Sequence, residues 1–347
     1  NCFFGKENMI KKYKLKIGFF APAILENGGG LEKYLIETAS GLSSSRIKAD
    51  VITMNADFTF KMVFLLQIFY LKKITKADLF KEKTSSIIRK LRKAKYIKCK
   101  TFSELRKIFS NYDVIYSKNE IFEALIFRFI LGYNNVPPII FGVHTPHYYP
   151  IAKKFHAKLH NLLYGSGLYT FLASGVNRFH VFNQESSERL SLQFPDKNII
   201  KIGHPFNVED FNKKINKYSF KYQINKNKPS ILWLARLNVQ KGVDDLIQII
   251  DQVNTDGYSG KINWYIAGDG ADRNRIEGLS KKWSNVTYYG HVENNYIASL
   301  LNKIDLFIST SQWEASPYNI IEAQAAGKPV FAYKIAWPMD IIENNKT

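Results

Sequence analysis

The chain has 347 residues, more than the roughly 250 to 300 at which a single hydrophobic core stops growing, so two domains are expected. A 46% hydrophobic content with 25 Phe and 20 Tyr excludes a disordered chain; two cysteines, Cys2 and Cys99, exclude a disulfide framework and show no metal-ligand spacing, which points to a reducing, cytoplasmic setting. The net charge of +19, from 49 Lys and Arg against 30 Asp and Glu, implies an anionic partner: a phosphate ligand, a lipid surface or nucleic acid.

The N-terminal stretch is basic, begins with Asn and lacks the apolar core of a signal peptide. Met9 precedes Ile10-Lys11-Lys12, so the native start is expected to differ from residue 1. Apolar runs at 16–21 and 50–54 flank a helical pattern at 31–42, which is the strand, helix, strand signature of a βαβ unit. Between them lies the glycine run Gly28, Gly29 and Gly30. The run Met62 to Leu71 is too short to span a bilayer. From Lys61 to Lys107 there are 15 Lys and Arg against three acids, Asp78, Glu82 and Glu104. An apolar wedge with basic neighbours can lie on anionic lipid, and a buried helix beside a solvated basic stretch accounts for it equally well.

Further strands are expected at 113–116, 139–143, 179–182 and 199–202, with helices at 121–130 and 185–193, so residues 1–205 form one doubly wound domain. Residues 206–228 turn polar, with Asn and Lys alternating, and are expected to be an interdomain linker. A second domain over 229–347 repeats the alternation: strands at 231–235, 262–267, 286–289, 306–309 and 329–333, helices at 243–253, 273–283, 296–302 and 317–326. In parallel sheets of this kind ligands bind past the carboxyl ends of the strands, so those loops carry the candidate site.

Cleaving a sugar from a nucleoside diphosphate builds charge on the phosphates, which a metal or fixed cations and amides must neutralise. Arg236 lies just past one strand and Lys241 just before the next helix, so both can project from one edge, although solvated loop charges have the same appearance. Ser316 suits an N-cap with Pro317 at the first helical position, and Gly327 suits a helix stop. Such a helix start attracts a diphosphate. Glu314 then precedes the helix and Glu322 sits within it among Ile320, Ile321, Ala323, Ala325 and Ala326, where an isolated acid needs a partner.

Glu314 and Glu322, with seven residues between them, resemble the paired-glutamate motif of the GT4 family of retaining glycosyltransferases. Trp233 to Leu237 with Gln240-Lys241-Gly242 is similar to the family's donor-phosphate loop, Ala267-Gly268-Asp269-Gly270 to its glycine turn, and Gly290-His291-Val292 to its nucleotide-facing loop. The resemblance is strong over about 230–345 and weaker over 15–210. It implies an α/β chain of the GT-B fold, two Rossmann-like doubly wound domains facing a cleft. It implies that Arg236 and Lys241 hold the diphosphate, that Glu322 binds ribose hydroxyls and that Glu314 faces the transferred sugar. Gly268, Gly270, Ser316, Tyr318, Asn319 and His291 are expected to complete the donor site. Gly28, Gly29 and Gly30 resemble the family's phosphate and acceptor loop, and His144 falls where the family often has a histidine near the reacting sugar; His147 is a further candidate. No cofactor or metal is expected, transfer retaining configuration with the leaving phosphate as base. The expected partners are a nucleoside diphosphate sugar, a glycan or lipid-linked acceptor and an anionic membrane surface met by 62–107, with no nucleic acid.

Two departures stand out. Ala315 to Asn319 replaces the glycine and aromatic residues common after the first glutamate, which leaves the sugar open. Family members continue beyond a position such as Thr347, so the C-terminal part is expected to be truncated. No Asp-x-Asp metal site, P-loop, strand-coupled dinucleotide fingerprint or nucleophile elbow occurs. His156 and His160 have helical metal spacing without the adjacent glutamate of a zinc protease, and are expected on a helix surface. An epimerase or phosphorylase of the same fold, and a basic nucleic-acid- or membrane-binding protein, remain as alternatives.

Overall fold

A computed structural model of the chain describes residues 15–22, 30–44, 46–54, 94–118, 120–144, 148–149, 155–314, 317–335 and 338–343. Gly28, Gly29, His147, Ser316 and the greater part of 62–107 lie outside the described residues.

The first sheet has the order β3-β2-β1-β4-β5-β6-β7, with β1 at Leu15–Ala21, β2 at Ile47–Met54, β3 at Tyr96–Cys99, β4 at Val114–Lys118, β5 at Ile139–Gly142, β6 at Arg178–Val181 and β7 at Asn198–Lys201. The pairings β1 with β2 and β4, β2 with β3, β4 with β5 and β5 with β6 are all parallel. Strand residues are buried in continuous runs, as in Phe19, Phe20 and Ala21, because helices cover both faces. The many phenylalanines fill this core: Phe20 meets Phe109 edge-on at 5.2 Å and Phe141 meets Phe179 at 6.3 Å.

The second sheet has the order β10-β9-β8-β11-β12, all parallel, with β8 at Ser230–Leu234, β9 at Asn263–Ala267, β10 at Val286–Tyr288, β11 at Leu306–Ser309 and β12 at Val330–Ala332. Alternation along its strands separates two apolar layers. Leu232, Leu234, Tyr265 and Phe307 pack with Leu300, Leu301 and Ile320 on one face. Trp233, Trp264 and Ile266 pack with Leu246, Ile250 and Ile276 on the other.

Two compact units divide the described residues. One lies within 1–144, 159–180 and 191–200, the other within 145–158, 181–190 and 201–347, instead of meeting at a single boundary near 205. The expected linker is not featureless. Helix Val208–Lys217 lies in it, capped by Asn207, whose side chain accepts from Asp210 N at 2.9 Å. Phe211 and Phe220 enter the core of the second unit. The stretch reads as polar because one buried aromatic per helix leaves the remaining positions to Asn, Lys and acids.

Three smaller corrections follow from local physics. His160, expected on a helix surface, is buried and stacks on Tyr164 at 4.1 Å. Pro317 is extended (φ −78, ψ 109) and flanks the helix as its N-cap, so the helix runs Tyr318–Ala325 instead of starting at Pro317. Helix Ile121–Leu125 gives way to a π-helical segment at Ile126–Leu131, closed by Gly132 at φ +74. Gly327, at φ +67, follows the end of helix Tyr318–Ala325 as its spacing predicts. No helix of the described residues is long and apolar enough to cross a membrane.

Candidate functional site

The order of the second sheet reverses between β8 and β11, which makes the space past their carboxyl ends the crevice where such sheets take ligands. The loop after β8 supplies Arg236 and Lys241. Asn238 shapes it by accepting from Lys241 N at 3.1 Å, which starts a 3-10 turn over Val239–Lys241. The turn ends at Gly242, in the left-handed region at φ +67; a Cβ there would stand 1.9 Å from the Thr310 carbonyl oxygen, so the position admits only glycine.

The loop after β11 closes on this turn. Thr310 Oγ1 lies 2.8 Å from the Lys241 carbonyl oxygen and 2.9 Å from that of Gly242, and accepts from Trp233 Nε1 at 3.0 Å. Gln312 N donates to the Gln240 carbonyl at 2.8 Å, and Gln312 Nε2 donates to Asp245 Oδ2 at 2.7 Å. These bonds bring the Lys241 ammonium onto Glu314 Oε1 in an ion pair between groups 73 residues apart, both largely shielded from solvent. Lys241 and Glu314 therefore neutralise one another across the reversal point of the sheet.

Arg236 is exposed and, among the described residues, its guanidinium has no ion-pair partner. The backbone around it is laced to the next loop. Leu237 N donates to the Asp269 carbonyl at 3.0 Å, Leu237 bridges Gly270, and a Cβ on Gly268 would stand 1.8 Å from the Ala235 carbonyl oxygen. Gly268 N donates to the Gly290 carbonyl at 2.7 Å, which ties in the loop that carries the exposed His291.

Helix Tyr318–Ala325 borders the same edge. Asn319 Nδ2 donates to the Leu234 carbonyl at 2.8 Å and its Oδ1 accepts from Ile320 N at 3.0 Å, so this side chain pins the helix start to the end of β8. The Tyr318 ring lies 4.7 Å from that of His204, and Glu322, one turn further on, is half-buried.

In the first unit, His144 follows β5, and Gly30 begins helix Gly30–Leu42. The sequence did not single out what surrounds His144. Tyr116 Oη, from β4, is 3.0 Å from His144 Nε2 and 2.8 Å from His180 Nδ1 of β6, and the Tyr34 ring lies 4.6 Å from that of His144. Burial raises the Tyr34 and Tyr116 hydroxyls above the usual phenol range, which keeps both neutral. At the end of β4, Lys118 Nζ lies 3.4 Å from the fully buried Glu123. A strand tyrosine reads as ordinary core, so none of these contacts had a local signal; Thr310 and Asn238 were equally silent.

Solved structures share this architecture over nearly the whole chain. A variant of TarM from S. aureus, in complex with fondaparinux, α-GlcNAc-glycerol and UDP, superposes with a TM-score of 0.62 at 14% identity, covering 96% of this chain and 88% of that one. Sucrose-phosphate synthase from Thermosynechococcus elongatus gives 0.66 at 16%, covering 96% and 85%. The lipopolysaccharide outer core galactosyltransferase WaaB in its apo form gives 0.58 at 17%, covering 95% and 84%. At such identities the likeness is one of fold, and the chain has the GT-B fold. Residues 214–347 match the model of the family Glycosyl transferases group 1. A 41.2 kDa protein in the cps region of Klebsiella pneumoniae is 30% identical over 125 residues, 36% of this chain and 33% of that protein. A glycosyltransferase of Methanocaldococcus jannaschii is 29% identical over 117 residues, 33% and 29% of the two chains, so the matched stretch spans about a third of these relatives.

Proposed function

We propose that the chain transfers a hexose-type sugar from a nucleoside diphosphate sugar to a glycan or lipid-linked acceptor, with retention of configuration and without a metal. The observation that carries this reading is the meeting of Lys241 and Glu314 at the reversal point of the second sheet, with Arg236 exposed on the same edge. Arg236 and Lys241 are the fixed cations that a departing diphosphate requires. When the donor enters, Lys241 turns to its phosphates and Glu314 to the sugar hydroxyls. Glu322 takes the ribose hydroxyls, and Gly268, Gly270, His291, Ser316 and Tyr318 line the donor, while Asn319 holds the helix in place.

In the first unit His144 serves the transferred sugar, and Gly28, Gly29 and Gly30 bring main-chain amides to phosphate and acceptor. The acceptor oxygen bonds to the anomeric carbon on the face from which the phosphate oxygen leaves. The acceptor's proton passes to that phosphate oxygen, and nucleoside diphosphate is released.

A panel of UDP- and GDP-sugars tests the reading through melting temperature, since only a ligand of the folded state raises it. One or more is expected to do so, and that donor is expected to release UDP or GDP only when an acceptor glycan is added. A panel without any shift overturns the reading, and turnover to an epimer without acceptor identifies an epimerase instead.

The acceptor side is proposed to work on the cytoplasmic face of an anionic membrane, through the apolar and basic stretch 62–107. Support comes from the described part of the same unit. No Asp or Glu occurs between Glu123 and Glu185. Within that stretch Phe129, Leu168 and Phe171 are exposed, with the Arg128 guanidinium 4.3 Å above the Phe171 ring. The printed descriptions of the cps-region relative and of WaaB fit a role in surface polysaccharide or lipopolysaccharide assembly. Co-sedimentation with anionic vesicles at moderate salt is expected, and its absence removes the membrane from the proposal.

A further inference from the structure

We propose that Tyr116 is the hub of a buried hydrogen-bonded relay, Tyr116 with His144 and His180, that fixes the tautomer and ring orientation of His144. Tyr116 Oη stands between His144 Nε2 at 3.0 Å and His180 Nδ1 at 2.8 Å. A phenol hydroxyl has one hydrogen and also bonds the Tyr34 hydroxyl, so it donates to at most one imidazole, and at least one of the two imidazoles donates to it. The two histidines therefore cannot both present an acceptor nitrogen to Tyr116. If His144 accepts at Nε2, its proton sits on Nδ1 and His180 donates from Nδ1; if His144 donates from Nε2, the Tyr116 hydrogen goes to His180 or to Tyr34. Which nitrogen of a histidine carries the proton is set by the bond made at the other, so Tyr116 and His180 control what His144 presents to a ligand.

Three further observations belong to the same device. Tyr116 and His180 are each 7% exposed and Tyr34 5%, so water does not compete for these bonds. Tyr34, from helix Gly30–Leu42, packs against the His144 ring at 4.6 Å and near Tyr116 at 5.9 Å, which holds the imidazole from a second side. A Cβ on Gly142 would stand 1.9 Å from Tyr116 Oη and 2.8 Å from His144 Nε2, so the hub exists only because β5 ends in glycine.

The relay rests on the assignment of His144 to the reaction only for its consequence; its geometry is tested independently. Nitrogen-15 NMR of the imidazoles in the full chain, with His144 assigned by its absence in His144→Gln, reads the tautomer directly. A single His144 tautomer is expected in the native chain and a mixture in Tyr116→Phe, which keeps the ring and removes the hydroxyl. His180→Asn, which retains a polar atom near Nδ1, is expected to preserve the single tautomer, whereas His180→Leu is expected to lose it. Turnover of UDP-glucose or GDP-mannose, whichever is accepted, is expected to fall roughly tenfold in Tyr116→Phe with the donor KM unchanged, the mark of an interaction made only in the transition state. A His144 tautomer that survives in both Tyr116→Phe and His180→Leu overturns the relay. Tautomer mixing with native turnover keeps the relay and removes His144 from the reaction, so the two failures are distinct.

Discussion

Lys241 and Glu314, proposed here as donor machinery, are also a pair that the local structure depends on. With Glu314 7% exposed, removing the lysine alone strands a carboxylate that cannot reach water. Breaking such a pair costs about 3 to 5 kcal/mol, whereas exchanging both members for apolar groups is often neutral. Lys241→Met is therefore expected to lower unfolding free energy by about 3 kcal/mol, and Lys241→Met with Glu314→Leu to recover most of it, as read by urea denaturation. Arg236 is the opposite case, exposed and without an ion-pair partner among the described residues. Arg236→Ala is expected to leave the melting temperature of the free protein unchanged while weakening nucleotide-sugar affinity by about ten- to a hundredfold, the usual worth of a charge-assisted bond. Titration calorimetry with the donor found by thermal shift decides this. The sequence placed both cations on the loop after one strand, Arg236 just past it and Lys241 just before the next helix, where a solvated loop charge has the same appearance. The pairing of Lys241 with Glu314 was not legible, since it depends on Asn238, Gly242, Thr310 and Gln312 folding two distant loops together.

At the scale of elements, the strands of the second unit were readable to within a residue or two, because each is a short apolar run bounded by polar turns. Helix Phe102–Phe109 escaped notice although its signal was present: Thr101 accepts from Glu104 N at 3.1 Å, a cap written as Thr-Phe-Ser-Glu. The basic residues around it drew attention to charge instead of capping. Helix Ile121–Leu125 carries a second hidden feature, the Glu123 carboxyl. Its burial raises the pKa to about 7 from 4.5, with Lys118 opposing the rise and Glu120 adding to it. The folded state thus holds more protons than the unfolded between these values. The associated stability is fully present below about pH 4.5 and is lost as pH rises to about 7. At about 1.4 kcal/mol per pH unit the loss is about 3 kcal/mol, and Glu123→Gln is expected to abolish this slope. Urea unfolding at pH 5 and pH 8 compares the two. A profile equally steep in the variant assigns the slope to other groups.

For the whole molecule, one topological fact is repeated twice: each sheet starts near its centre and reverses beside the strand that comes first in sequence, at β1 and β4 in one unit and β8 and β11 in the other. Residues drawn from far apart in the chain then share one edge. Donor binding is accordingly expected to slow amide hydrogen exchange at 235–242, 268–270 and 310–322 of the second unit. Exchange in β2 and β3, at the outer edge of the first sheet, is expected to stay as in the free protein. Slowing confined to other segments moves the donor away from the proposed site. The matched family region is the half whose motifs are most readable, because main-chain close contacts at Gly242 and Gly268 allow few alternatives.

The stitching of Leu237 to Asp269 and Gly270 is made by main-chain atoms alone. The Arg236 side chain takes no part in that stitching, whereas Asp269 Oδ1 accepts from Gly270 N at 2.8 Å and its Oδ2 lies 3.7 Å from Arg273 Nη1. Position 236 can exchange residue type at little cost to folding, so under the proposed function new donor preferences are open to single substitutions there without any redrawing of the backbone beneath.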